Sequence, residues 1–328
     1  MLTRRAAGLL ASAVLCPPGL ASAQAESWPD RPVRVVVPFG PGGAIDILIR
    51  VMAPHFPSLA NGQALVVENR GGAGGTIGAG LVARARPDGY TLLMAEQASA
   101  ALGHELYRNL PYDPRTAFTP IVFLAELPML LVVRANLPVR TLAELLDQAR
   151  RLPGSLSYGT VGVGHISHLT AELLISSAGQ GARALHVIYR SGADMVAATA
   201  KGEIDFTITS LSSASAFREA GSIRALAVST PQPLVSMPAV PNMAATVPGA
   251  TASLWYGLVG PAGMTSPLVT RINAACNAIL ALPEVRRLLE RQQGAQIVGG
   301  SPGHFAAHLA AEVARWTPVL HAAGVKVE

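Results

Sequence analysis

The feature that most constrains this chain is an alternation of two hydrophobic periods. Short apolar runs of strand character take turns with runs of helical spacing, and the order β-α-β-α-β occurs twice. Residues 33–39 are almost continuously apolar, as a strand buried on both faces should be. Ile45, Leu48, Ile49, Met52, Ala53 and Phe56 then fall on one face of a 3.6-residue period. Residues 65–68 read as a second strand, 76–85 as a helix of small residues and 90–95 as a third strand. Strands separated by helices call for parallel pairing with helices on the sheet faces. The pattern restarts with a strand at 156–160 and a helix marked by Ile166, Leu169, Leu173 and Leu174. A strand at 185–189, a helix at 194–201 and strands at 204–209 and 223–229 follow. A proline-rich connection covers 231–248, a strand resumes at 254–259, and Phe305, Leu309, Val313 and Trp316 mark a last amphipathic helix. The architecture repeats although the sequence does not.

With 328 residues the chain is long enough for two domains and a sizeable core. Half of its residues are hydrophobic and 14% are charged, which excludes a disordered chain. The N-terminus has the layout of a secretory signal peptide: Arg4 and Arg5, an apolar run over 6–15, then the small residues 21–25. That run is too short for a membrane-spanning helix, which needs about 20 residues. Cleavage is expected after Ala23 or Ala25, which makes residues 1–25 a leader and the mature protein periplasmic. Loss of Arg4 and Arg5, with no acid lost, takes the formal charge from +5 to +3. No lysine or arginine run remains to bind nucleic acid. Only Cys276 then remains, so no internal disulfide is expected, and its place in a helical pattern reads as a buried apolar residue.

Two loops carry the chemistry. In Val37-Pro38-Phe39-Gly40-Pro41-Gly42-Gly43-Ala44-Ile45-Asp46 a strand ends, the chain turns and a helix begins at once. The first N–H groups of a helix have no internal partner, and with the helix dipole they make an anion site. Gly42 and Gly43 let a ligand approach the backbone. Tyr158-Gly159-Thr160-Val161-Gly162-Val163-Gly164-His165-Ile166-Ser167-His168 repeats this design in the second unit. Both loops lie at the carboxyl ends of strands, where open α/β sheets bind ligands. An ordinary tight turn remains the alternative for either loop alone.

Other chemistries fit poorly. Neither loop ends in the Lys-Ser/Thr of a phosphate-binding P-loop, and Gly78-x-Gly80-x-x-Ala83 falls inside a helix pattern rather than just after a strand. Gly299-x-Ser301-x-Gly303 matches a nucleophile elbow by letters, but Pro302 has no N–H for an oxyanion hole, so Ser301 reads as a helix cap. His304 and His308 are four apart with no third ligand in view, and read as surface histidines. His165 and His168 sit near a helix start, within reach of a ligand. No metal and no cofactor is expected.

Taken in order, these segments resemble the Bug/TctC family, the periplasmic solute-binding proteins of tripartite tricarboxylate transporters. The likeness covers nearly the whole mature chain. It includes Trp28-Pro29-Asp30-Arg31-Pro32, the Val37–Gly43 stretch, Val67-Glu68-Asn69-Arg70, Pro87-Asp88-Gly89-Tyr90, Leu110-Pro111-Tyr112-Asp113, Ser167-His168-Leu169, Gly202-Glu203-Ile204-Asp205 and Trp255-Tyr256-Gly257-Leu258. The resemblance implies an α/β, two-domain periplasmic binding protein of type II, a Venus flytrap with two interdomain crossovers, near Glu126 and Ser253. One domain would hold 26–126 and 253–328, the other 127–252. A small carboxylate would be held by Phe39, Gly42, Gly43, Ala44, Ile45 and Asp46 on the first domain and by Thr160, Gly162, Gly164, His165 and Ser167 on the second. Gln97, Thr209 and Ser210 would also face the cleft. The implied partners are integral membrane transporter subunits, and the protein is expected to be a monomer without enzymatic activity. A ligand-sensing protein and a periplasmic hydrolase are the rival readings; the second lacks a nucleophile–base pair.

The chain departs from the family pattern at several cleft positions. Ile45 stands where a hydroxyl residue is common, His165 where a small hydroxyl residue is frequent, Glu96-Gln97 where small polar residues are usual, and Thr209-Ser210 where relatives often have Asp and a polar residue. Threonine in place of an acid removes a negative charge, which favours a ligand without an amino group.

Overall fold

The computed structural model describes residues 28–234 and 236–322; the expected leader lies outside them. The first unit runs β1 (Val33–Val37), α1 (Ala44–Met52), β2 (Leu65–Asn69), α2 (Thr76–Ala83) and β3 (Thr91–Ala95). Strand β1 lies between β2 and β3 and pairs in parallel with both, Val35 facing Val67 on one side and Leu92 on the other. Its Val33 and Val35 to Val37 are fully buried, as the unbroken apolar run requires. Helix α1 stops at Met52, earlier than the apolar spacing suggests. Pro54 and Pro57 lack the N–H groups a longer helix needs, so the chain continues in two 3-10 turns that still bury Phe56.

After β3 a π-helical turn over Gln97–Leu102 runs into the short α3 (Gly103–Leu106), and then comes β4 (Phe118–Arg134), a strand of seventeen residues. The sequence pattern does not announce this strand. Pro120 and Pro128 argue against a strand interior, since proline cannot donate to a ladder. The structure accommodates them where the pairing is irregular or changes hands. Register shifts follow Pro120, and Pro128 is the last residue to face the partner strand β9, beyond which β4 pairs with other strands.

The second unit follows α4 (Leu142–Arg151). It runs β5 (Ser157–Thr160), α5 (Ile166–Ser177), β6 (Leu185–Ile188), α6 (Gly192–Lys201), β7 (Phe206–Ser210), α7 (Leu211–Glu219) and β8 (Ile223–Val228). Strand β5 is central and pairs in parallel with β6 and β7, repeating the arrangement around β1. The chain then returns through β9 (Ser253–Pro261), α8 (Ser266–Ala281), α9 (Pro283–Gln293), β10 (Gln296–Ile297) and α10 (Pro302–Ala322). The hydrogen-bonded order is β2-β1-β3-β9-β4-β7-β5-β6, with β8 and β10 also on β4.

Strand β4 therefore joins the two halves. Up to Pro128 it lies antiparallel to β9, with Glu126 opposite Trp255. From Met129 it lies antiparallel to β7 and from Leu130 to β8. Its side chains alternate between two cores, Leu131 and Val133 in the main one and Leu130 and Val132 in a smaller cluster with Val196, Leu211 and Ile223. The turns after β1, β5, β6 and β7 all leave the carboxyl ends of their strands, and each leads straight into a helix.

Candidate ligand cavity

Across the junction of the halves lies a small, partly open cavity of about 40 Å³, well below the roughly 300 Å³ at which typical small-molecule sites begin. The β1–α1 turn contributes Phe39, Gly40, Gly43, Ala44 and Ile45, and the β5–α5 turn contributes Val161 and His165. The two turns touch. The Phe39 ring meets the His165 ring edge-on at 5.6 Å between centroids. The Gly40 N–H donates to the Arg190 carbonyl at 3.4 Å, and a Cβ placed at Gly162 would lie 2.8 Å from the Gly74 Cα. Only glycine permits that approach.

Sequence reasoning found two helix N-termini; the structure brings four to one cavity. Gly43 caps α1, His165 caps α5, Ser191 caps α6 and Ser210 caps α7, and all four line the space. Each N-terminus carries roughly half a positive charge. Among the described residues no ionised side chain lines the cavity. Met129 from β4, Met195 from α6, Ile208 from β7 and Leu254 from β9 supply apolar walls, and Tyr256 supplies a hydroxyl beside the Ile45 backbone N–H.

His165 is set up as a neutral donor. Its Nδ1 accepts the Ser167 N–H at 3.1 Å, so the ring proton belongs on Nε2. Burial holds its pKa down at about 3. Thr209 is 2% exposed, lines the cavity, and its hydroxyl has no hydrogen-bond partner among the described residues.

Of the residues expected to bind, Phe39, Gly43, Ala44, Ile45, His165, Thr209 and Ser210 line the cavity. Gly42, Asp46, Gln97, Thr160, Gly162, Gly164 and Ser167 do not, and their bonds explain why. The Asp46 carboxylate accepts from Gly42 N–H at 3.0 Å, Arg50 at 2.9 Å and Asn69 at 3.0 Å. Burial works against its charge, but those bonds and the Arg50 charge outweigh it and hold its pKa below the ordinary value. The Gly162 N–H donates to Thr160 Oγ1 at 3.2 Å and the Gly164 N–H to His168 Nδ1 at 3.2 Å. A buried N–H must be paired, and here the chain pairs its own. The Ser167 N–H goes to His165, and Gln97 Oε1 accepts from Trp255 Nε1, which also donates to Glu312 at 2.9 Å. These residues shape the loops and leave the ligand space to their neighbours.

Beneath the β5–α5 turn, His168 stacks on His186 at 4.5 Å and lies parallel to Tyr158 at 6.3 Å. Burial, then the neighbouring His186 and His165, depress its pKa to about 3. Thr160 Oγ1 completes the layer 2.6 Å from His186 Nε2.

Sequence reasoning missed Ser191, Gly192 and Ser213. The signal was present as Ser191-x-x-Asp194 and Ser210-x-x-Ser213, capping patterns placed just after strands. The Ser191 and Ser210 hydroxyls accept the N–H groups three residues on, at 3.2 and 3.3 Å.

Elsewhere the structure sorts the rival features. Gly78 and Gly80 lie within α2. The Ser301 hydroxyl accepts the His304 N–H at 3.2 Å at the start of α10, as a cap does. Cys276 is buried, which pushes its thiol up to about 12. His304 is exposed, but His308 is not the surface residue expected. Its ring lies 4.1 Å from Phe123 and edge-on to Trp255 at 5.2 Å, and burial lowers its pKa to about 4. Among the described residues no group of three or more His, Cys, Asp or Glu is placed to hold a metal.

The sequence profile of the tripartite tricarboxylate transporter family receptor, TctC, matches residues 49–325. A Pseudomonas sp. (strain P51) relative, the UPF0065 protein in the tcbD-tcbE intergenic region, is 36% identical over 90% of this chain and 87% of its own. Similar solved structures include the following three. An R. palustris protein with adipate has TM-score 0.86 at 36% identity, covering 92% of this chain and 100% of that one. The periplasmic binding protein BugD has TM-score 0.84 at 30% identity, covering 92% and 100%. MatC from Rhodopseudomonas palustris with bound malate has TM-score 0.83 at 29% identity, covering 89% and 100%.

Proposed function

The chain belongs to the TctC family of tripartite tricarboxylate transporter receptors, and from that premise we propose that it captures a small carboxylate between two domains and delivers it to integral membrane transporter subunits. It makes and breaks no bond. The observation that carries this reading is the convergence of four helix N-termini on a partly open cavity that no ionised side chain of the described residues lines. Such a cavity favours an anion through N–H groups and neutral hydroxyl and imidazole donors. The structural neighbours with adipate and malate, both carboxylates, support the same class of ligand.

In this account residues 26–126 and 253–328 form one domain and 127–252 the other, with 1–25 removed on export to the periplasm, where the protein works as a monomer. Strands β4 and β9 cross between the domains, and closure about them brings the β1–α1 turn onto the β5–α5 and β6–α6 turns. The closed surface is what the membrane subunits read. Among the described residues no carboxylate side chain lines the cavity to receive an ammonium group, so amino acids bind more weakly than acids lacking the amine.

A thermal-shift screen with a carboxylate panel tests the proposal. An acid present at a hundredfold over its dissociation constant adds about 2.7 kcal/mol of stability. The proposal fails if no acid across C3 to C8 mono-, di- and tricarboxylates stabilises the protein, or if aspartate and glutamate stabilise it more than the simple acids do.

A further inference from the structure

We infer that His168 and His186 are positioning residues for ligand capture. From beneath the β5–α5 turn they fix the backbone that presents His165 to the cavity, and they do so only as neutral rings, so acid loosens the turn and weakens binding. This rests on the carboxylate reading above and adds a control on the same site.

Each ring holds one glycine of the turn. His168 Nδ1 accepts the Gly164 N–H at 3.2 Å. His186 acts through Thr160, whose Oγ1 lies 2.6 Å from His186 Nε2 and accepts the Gly162 N–H at 3.2 Å. The Thr160 proton has the His186 ring at 2.6 Å or the Gly162 carbonyl at 3.4 Å, and the shorter bond makes Nε2 the acceptor. Neither glycine has a side chain to limit its backbone. These bonds, rather than local propensity, therefore set the path of the chain into His165, the α5 cap.

A proton on His168 Nδ1 sets two donors head-on at the 3.2 Å of the present bond. Leu106 of the opposite half fills the place of a Gly164 side chain, since a Cβ there would lie 2.0 Å from its Cδ1, so the closed turn has little room to yield. A proton on His186 reverses the bond to Thr160 and turns the Thr160 proton toward the more distant Gly162 carbonyl. The rings stack at 4.5 Å, so a first proton opposes a second. The titratable groups facing the pair are Tyr158 on β5 and, on α5 itself, His165 and Glu172. Glu172 Oε1 lies 3.9 Å from His168 Nε2 and accepts the Tyr158 hydroxyl at 2.5 Å. Helices α4 and α10 and strand β7 also pack on α5, and among the described residues none brings a charged side chain into an ion pair with either ring.

The sign of the coupling follows from burial. In the closed fold burial, then His186 and His165, hold His168 at about 3, and burial lowers His186. Parting the halves takes Leu106 from Gly164 and Gly74 from Gly162 and lets the pair return toward the ordinary value of about 6.5. The open form then takes up a proton that the closed complex excludes. Affinity is level above about pH 6.5 and falls below it, by about tenfold per pH unit for one proton.

Titration calorimetry with adipate and with malate tests this. The native protein should lose about tenfold in affinity between pH 7.5 and 5.5. At pH 6.0 binding should expel about half to one proton, read from the change of binding heat with buffer ionisation enthalpy; that reading needs no variant. In the double variant His168→Asn with His186→Gln, amide oxygens replace Nδ1 and Nε2 as acceptors and cannot titrate. It should bind within about threefold of the native protein at pH 7.5 and keep only the acid loss that comes from the ligand's own carboxyl groups. His168→Leu, which leaves the Gly164 N–H without an acceptor, should bind about tenfold more weakly at pH 7.5. Native binding that neither weakens in acid nor expels a proton overturns the inference and leaves the carboxylate reading intact. A double variant with the native acid loss also overturns it, by placing the titration at His165. A double variant that binds no better than His168→Leu removes the acceptor role. Failure of these two acids and of the wider panel to bind at pH 7.5 removes the carboxylate reading itself, and this inference with it.

Discussion

Replacing Gly43 by alanine separates binding from folding. Gly43 is the cap of α1 with φ −77° and ψ 165°, an extended conformation open to any residue. It is buried and lines the cavity, and a Cβ built on it meets nothing within 4 Å. The proposed ligand site is therefore what a methyl group there would enter. For the empty protein two small effects oppose each other. Alanine restricts the unfolded chain, worth about 0.4–1 kcal/mol, but is a poorer helix cap than glycine by a similar amount. The thermal midpoint should move by no more than about 2 °C. For the complex, one methyl group intrudes on a filled site, and overpacking of that kind costs about 1–3 kcal/mol. Affinity should fall by roughly 5- to 150-fold. The assay pairs thermal denaturation of the ligand-free protein with titration calorimetry using the best acid from the panel. Unchanged affinity with unchanged stability would refute the placement of the ligand against the α1 N-terminus.

The second loop should respond differently. At Gly164 φ is +76°, and a Cβ would lie 2.0 Å from Leu106 Cδ1, so Gly164→Ala should destabilise the protein itself by about 2 kcal/mol or more; a stable variant that merely binds weakly would contradict this. The buried histidines predict an acid dependence. For His165 and His168 the folded pKa of about 3 lies below the unfolded 6.5, so their contribution is full above about pH 6.5 and is lost as pH falls toward 3, about 2 kcal/mol each by pH 5. The buried Glu96 and Glu312 and the half-buried Glu126, whose carboxyls burial raises, act in the opposite sense. The test is therefore a difference: His168→Asn, whose Oδ1 can still accept the Gly164 N–H, should lose about 2 kcal/mol less than the native protein between pH 7.5 and 5 in urea denaturation. Identical losses would mean that His168 is not held neutral in the fold.

The two parallel units were legible because their strands are buried on both faces, which writes unbroken runs such as Val35-Val36-Val37 into the sequence. The first glycine turn was legible because strand, turn and helix follow within ten residues. Strand β4 was not, since its prolines sit where the pairing shifts or changes partner, and only the three-dimensional neighbours reveal that they are tolerated. Helix α4 carries a readable cap in Thr141-x-x-Glu144, where the Thr141 hydroxyl accepts the Glu144 N–H at 3.2 Å and the Glu144 carboxylate accepts the Arg140 N–H at 2.6 Å. In the site, glycines drew attention because they permit close approach. Gly162 and Gly164 spend their N–H groups on Thr160 and His168 instead. The donors that remain free belong to Thr209, His165 and the plain first turns of α6 and α7. Their freedom is a property of what fails to pack against them, which no local pattern encodes.

The most direct test of the central claim is a crystal structure with the tightest acid from the panel. The account predicts its carboxylate between the first turn of α1 and the His165 ring, with Nε2 within hydrogen-bond distance of an oxygen and the ligand enclosed by Gly43, Tyr256 and Thr209. A carboxylate bound elsewhere, for instance in the apolar groove lined by Phe118, Leu309 and Val313, with the cavity at the helix N-termini empty, would contradict it.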